Sequence, residues 1–212
     1  MPETVVLVHG IWMTGLEMQP LARRLRACGY RTRIFRYRSL WRPLDWNARR
    51  LLRMVRRQAA GTVHLVGHSL GGLVILQALQ DCPGLVDGRV VLLGSPVKGS
   101  LIAQRLYRHR WSRWLVGRSA EQGLLGDGPR WQGRQTLGVV AGTRPVGVGQ
   151  LLGGFPGPND GTVALSETAI ENAHAATVVR STHMGLLFSP LAAQAVCRFL
   201  STGRFDARDV TV

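Results

Sequence analysis

Lysine is almost absent from this chain: Lys98 stands alone among 27 basic residues, so arginine carries nearly all of the positive charge. Acidic residues are scarce as well, 12 against 27, which leaves a formal net charge of +15. Such a skew reflects an arginine-rich coding bias, or it marks a basic face that attracts anionic membranes or nucleic acid. The arginines are scattered (Arg23, Arg24, Arg49, Arg50, Arg56, Arg57, then Arg105 to Arg118), and no nucleic-acid module accompanies them. They read mainly as solvated helix faces. Nucleic acid is therefore not an expected partner, while peripheral contact with an anionic membrane stays open. Cysteine is also sparse. Cys28, Cys82 and Cys197 are odd in number and widely spaced, which suggests neither a disulfide framework nor a zinc site. Reduced, mostly buried thiols are the expectation. No apolar run approaches the ~20 residues of a membrane span. The amino-terminal MPET leads straight into VVLVHG without a basic n-region or cleavage site, so the sequence reads as cytoplasmic. Internal repeats and low-complexity tracts are lacking too.

What is there is a chain of 212 residues, 45% hydrophobic, which suits one ordinary domain with a sizeable core. Apolar periodicity alternates between strand and helix. Thr4–Val8 is a continuous Val-rich run of the kind buried on both faces of a sheet. Thr32–Tyr37, Val63–Val66, Arg89–Leu93, Thr136–Ala141 and Ala176–Arg180 read as further strands. Met18–Cys28, Leu44–Ala60, Gly72–Gln80 and Leu187–Leu200 read as helices. The alternation implies an α/β fold: a mostly parallel twisted sheet with helices on both faces and right-handed crossovers. In such sheets chemistry gathers at the carboxyl ends of the strands.

The segment HLVGHSLGGLVIL places Ser69 between a strand and a helix, with Gly67 and Gly71 on either side. This G-x-S-x-G pattern fits a nucleophile elbow, whose small residues permit a strained turn that lifts the hydroxyl clear of the sheet. The helix amino-terminus behind it offers a backbone N–H to a developing oxyanion. A serine hydroxyl needs a base, and the base an orienting acid, in the chain order Ser, Asp or Glu, His. His183 in STHMGLL lies just past the last strand, at the expected edge, whereas His174 precedes that strand and belongs at the other end. Asp160 in PNDGTV follows the preceding strand and is the expected acid; Asp127, in a glycine-rich insertion, is second. After the first strand, His9 and Gly10 precede Ile11, whose amide would supply a second oxyanion donor. Trp12 then either walls the acyl pocket or packs in the core.

VVLVHGIW, VGHSLGG, NDGTV and THMGLLFS, in this order and spacing, resemble the α/β-hydrolase superfamily. They are most similar to small bacterial lipases and esterases whose first strand ends in His-Gly. GSPVKGS resembles the Gly-Thr-Pro-x-x-Gly-Thr stretch of such lipases. The resemblance spans most of the chain and implies an α/β-hydrolase fold in a single domain over residues 1–212. It also implies Ser69, Asp160 and His183 as triad, the amides of Ile11 and Leu70 as oxyanion hole, and hydrolysis of small-molecule or lipid carboxylic esters. No cofactor is implied, and no carboxylate cluster around Asp160 suggests a metal. The same triad would also serve acyl transfer or thioester hydrolysis. A hydrolase-like binding protein without turnover is a further alternative, against which the intact triad argues.

Residues 100–135 exceed the minimal plan. Ala103, Tyr107, Trp111 and Trp114 recur at helical spacing with arginines between them. The expectation is a helical cap, either docked on the body or acting as a lid over the acyl pocket.

Overall fold

The first strand explains the layering. Every residue of β1 (Thr4–Val8) except the first is fully buried, because helices cover both faces of the sheet it sits in. Val6 and Val8 face one core, Val5 and Leu7 the other. The computed structural model, which describes residues 2–58 and 61–206, adds β2 (Arg31–Phe35), β3 (Val63–His68), β4 (Val90–Leu93), β5 (Leu137–Gly142) and β6 (Ala175–Val179). All pairings are parallel, in the order β2-β1-β3-β4-β5-β6. The order reverses at β1, so the loops after β1 and β3 open a crevice at the carboxyl edge.

Helices α2 (Leu44–Arg56) and α3 (Leu70–Asp81) cover one face; α1 (Gln19–Ala27) and α9 (Pro190–Thr202) cover the other. The apolar stripe of α2, through Leu44, Ala48, Leu51 and Val55, is buried, and its arginines point outward. Residues 59 and 60, expected to close that helix, lie outside the described residues. Single 3-10 turns form at Leu16–Met18 and Leu165–Thr168.

Three expectations are corrected. The closing helix over Leu187–Leu200 is two helices, α8 (Gly185–Phe188) and α9. Pro190 cannot donate a backbone hydrogen bond and so begins a new helix, while the Ser189 side chain accepts the Ala192 N–H as its cap. The cysteines are not all reduced: Cys28 and Cys197 form a disulfide across 169 residues, and Cys82 alone is free. Sequence spacing hides this pairing, because it depends on α1 and α9 lying side by side.

The insertion between β4 and β5 is also not one helix carrying Ala103, Tyr107, Trp111 and Trp114 on one side. It forms α4 (Leu101–Arg108), α5 (Arg113–Val116) and α6 (Arg118–Glu121). His109 leaves helical geometry, and the Ser112 hydroxyl donates to the Leu106 carbonyl, which closes α4 before Trp111 is reached. A further short helix, α7 (Val148–Leu151), follows β5. Among the described residues no helix is long and apolar enough to cross a membrane.

Candidate active site

Ser69 is the hinge at which β3 stops and α3 starts. Its φ of 55° and ψ of −126° lie where a residue with a side chain is strained. Gly71 allows this turn to press against the end of β1: a Cβ there would collide with the carbonyl oxygens of Val8 and His9. The Ser69 N–H donates to the Leu93 carbonyl at 2.9 Å, which pins the turn to β4.

Asp160, in the loop after β5, and His183, in the loop after β6, meet at the same edge. His183 Nδ1 donates to Asp160 Oδ2 at 2.7 Å, with the residues 7% and 1% exposed respectively. An ionised carboxylate can only accept, so the proton sits on Nδ1 and Nε2 keeps its lone pair. Asp160 Oδ1 accepts the N–H groups of Thr162 (3.0 Å) and Val163 (2.7 Å), and the His183 N–H donates to the Asp160 carbonyl at 2.8 Å. Acid and imidazole are thus fixed through main chain and side chain alike. Asp127 is exposed in a turn of the insertion, and no hydrogen bond among the described residues joins it to this pair. His174 is exposed ahead of β6, where its Nδ1 accepts the Leu137 N–H.

His68, the residue before Ser69, is the neighbour shared with His183. The ring of His68 lies 4.6 Å from that of His183. Among the described residues Ser69 Oγ has no hydrogen-bond partner, and none joins it to His183. In unliganded hydrolytic sites this contact is often loose.

Two backbone donors flank the serine. Leu70 begins α3, so its N–H has no intrahelical acceptor. Ile11 N–H is likewise unpaired among the described residues. Its loop is held by His9, which in the sequence stands out only as the end of the first strand. His9 Nδ1 donates to the Gly10 carbonyl (2.8 Å), and His9 Nε2 accepts the Tyr37 N–H (3.3 Å). The Tyr37 hydroxyl donates to the His9 carbonyl (2.8 Å), and the two rings stack at 4.3 Å. Burial pushes His9 below the ordinary histidine range, partly offset by its bond to Gly10, and so favours the neutral tautomer this network requires.

A narrow apolar slot of only about 50 Å³ opens beside Ser69. Ile11 and Trp12 line it from the body, and Ile102, Ala103, Leu106, Val116 and Leu124 roof it from the insertion. Trp12 is half-exposed in a left-handed conformation (φ 59°), and its indole N–H donates to the Leu115 carbonyl at 2.8 Å. A wider cavity against β5 and β6 contains no titratable side chain and lies away from Ser69. Trp111 and Trp114 turn away from the cavity, 74% and 70% exposed. Among the described residues, every exposed large apolar side chain follows the carboxyl end of a strand. Trp12 and Leu16 follow β1, Trp41 follows β2, Trp111 and Trp114 follow β4. Val146, Val148 and Leu151 follow β5, and Met184, Phe188 and Leu191 follow β6.

A family model described as the alpha/beta hydrolase family matches residues 5–204. No curated protein matches in sequence. Among solved structures, the chain is similar to the mature form of a Bacillus licheniformis lipase, with a TM-score of 0.72 at 19% identity over 93% of this chain and 90% of that one. It is also similar to a metagenomic carboxyl esterase, with a TM-score of 0.71 at 16% identity over 94% and 76% of the two chains. The NocB thioesterase domain of the nocardicin cluster gives 0.63 at 20% identity over 95% of each. At such identities the likeness is one of fold.

Proposed function

Because the chain belongs to the alpha/beta hydrolase family, we propose that it is a serine hydrolase of carboxylic esters, with Ser69 as nucleophile, His183 as general base and Asp160 as the acid that orients it. One observation carries the reading: the buried 2.7 Å bond between Asp160 and His183 stands at the sheet edge where Ser69 occupies a strained elbow lining an apolar cavity.

The chemistry then runs in two halves. His183 Nε2 takes the Ser69 proton as Oγ attacks the ester carbonyl, and the Ile11 and Leu70 N–H groups hold the tetrahedral oxyanion. Collapse expels the alcohol, protonated by His183. Water, deprotonated by the same nitrogen, releases the acid from Ser69. Asp160 keeps the imidazole in its Nδ1–H tautomer and stabilises the imidazolium. The cavity roofed by the insertion receives the acyl group, with Trp12 at its wall, and the insertion acts as a lid whose displacement widens it. The exposed apolar rim, with Arg38, Arg42, Arg110, Arg113 and Arg118 in the same segments, supports peripheral contact with an anionic lipid surface. The Cys28–Cys197 disulfide supports an oxidising compartment, contrary to the cytoplasmic reading of the amino-terminal sequence.

A panel of p-nitrophenyl esters and matched acyl thioesters of graded chain length tests the reaction class. Oxygen esters turned over by the native protein and not by Ser69→Ala are the expected result. Turnover of thioesters alone would move the assignment to a thioesterase, and turnover surviving in Ser69→Ala would refute the triad.

A further inference from the structure

His68, the last residue of β3, is 1% exposed and does no step of the chemistry above. Its Nε2 lies 3.1 Å from the main-chain carbonyl of His183. A carbonyl can only accept, so His68 is the donor and carries its proton on Nε2. Its Nδ1 is then a bare acceptor, buried and without a partner, facing Gly10: a Cβ on that glycine would lie 3.3 Å away. The same Cβ would lie 3.0 Å from Ser69 Cβ. One imidazole therefore touches three parts of the site at once. It is covalently next to the nucleophile, hydrogen-bonded to the segment bearing the base, and packed on the loop that bears Ile11.

The consequence for His183 is specific. Its N–H is fixed by the Asp160 carbonyl and its Nδ1 by the Asp160 carboxylate, so Asp160 holds one end of the residue. The carbonyl end is held by His68. Without that second anchor the main chain of His183 is held from the Asp160 side alone, and so is the placement of its imidazole relative to Ser69. Burial, reinforced by the nearby His183, pushes His68 down to about 3, so it stays neutral while His183 gains and loses its proton 4.6 Å away.

Resting on the serine-hydrolase reading, we propose that His68 is a positioning residue that tethers the main chain of His183 and so sets the distance between base and nucleophile. A glutamine amide at this position reaches about as far as imidazole Nε2; an asparagine amide stops short of the carbonyl. His68→Gln, His68→Asn and His68→Leu are compared for kcat, KM and melting temperature on a soluble p-nitrophenyl ester, with Ser69→Ala as reference. Displacement of a catalytic group by an ångström or so costs about 10²-fold in rate, so His68→Asn and His68→Leu should lose about that much kcat with KM little changed, and His68→Gln should recover most of it. The decisive comparison is between the two amides, alike in polarity, and does not depend on how well the leucine variant folds. Equal rates in His68→Gln and His68→Asn, whether both normal or both impaired, would overturn the role of His68 while Ser69→Ala stays inactive. Turnover surviving in Ser69→Ala would overturn the serine reading itself, and this inference with it.

Discussion

A serine hydroxyl is a weak nucleophile until a base stands beside it, and a lone imidazole is a poor base until its tautomer is fixed. At the proposed site the second need is met by a short hydrogen bond rather than by net charge: His183 Nδ1 donates to Asp160 Oδ2 at 2.7 Å. Asp160 receives three N–H groups, from His183 Nδ1, Thr162 and Val163, in a buried place where a carboxylate without partners would be costly. Asp160→Asn keeps the shape but presents the wrong partner to Nδ1. The expected outcome is a loss of roughly 10²–10⁴-fold in kcat with the circular dichroism spectrum unchanged. Asp127→Asn, on an exposed loop, should leave kcat as it is. At this scale the sequence was informative where chemistry restricts residue type: the strained turn at Ser69 and the pairing of Asp160 with His183 were both anticipated from motif and chain order. His9 and His68 were not, because a histidine that orients a backbone carbonyl leaves no spacing pattern. Only the adjacent Gly10 and Ser69 hinted at them.

Among the elements, the insertion shows the limit of reading helical spacing. The i, i+4, i+8 recurrence of Ala103, Tyr107 and Trp111 is real in the sequence, but Ser112 satisfies the Leu106 carbonyl and ends α4 after Arg108. The apolar side that packs is instead Ile102, Ala103, Leu106, Val116 and Leu124. The tryptophans are left in water, where Trp111 stacks near His109 at 6.3 Å and buries little. Six strands were legible to within two residues: the four inner ones are covered on both faces and apolar, while the edge strands β2 and β6 are half-exposed and show alternation instead. The split of α8 from α9 and the disulfide were not, since each depends on where distant segments land. The insertion yields a prediction of its own. Trp111→Ala with Trp114→Ala should change stability by about 0.5 kcal/mol or less, as surface substitutions do. The pair should nonetheless reduce activity on long-chain esters presented in anionic vesicles far more than on a soluble acetyl ester. Parallel loss on both substrates, with a lowered melting temperature, would make the insertion a docked structural unit and not a lid.

For the whole molecule, sensitivity to acid follows from burying neutral imidazoles. His9, His64 and His68 are all pushed below the ordinary histidine value chiefly by burial, His68 to about 3. Below pH ~6.5 the unfolded chain takes up protons that the folded chain refuses, so stability is full above that pH and falls as the pH drops. Each histidine adds up to about 1.4 kcal/mol per pH unit to the slope. Urea midpoints measured between pH 7 and pH 4 should therefore decline, and His68→Gln should flatten the decline. Identical slopes in the two proteins would show that His68 does not remain neutral in the fold. The proposed activity depends on one atom being reactive. Treating the native protein with a fluorophosphonate and measuring intact mass, followed by mapping of the modified peptide, tests this most directly. A single adduct on Ser69 is expected, lost in Ser69→Ala while the melting temperature holds. An adduct on any other residue, or none on a protein that still hydrolyses esters, would contradict it.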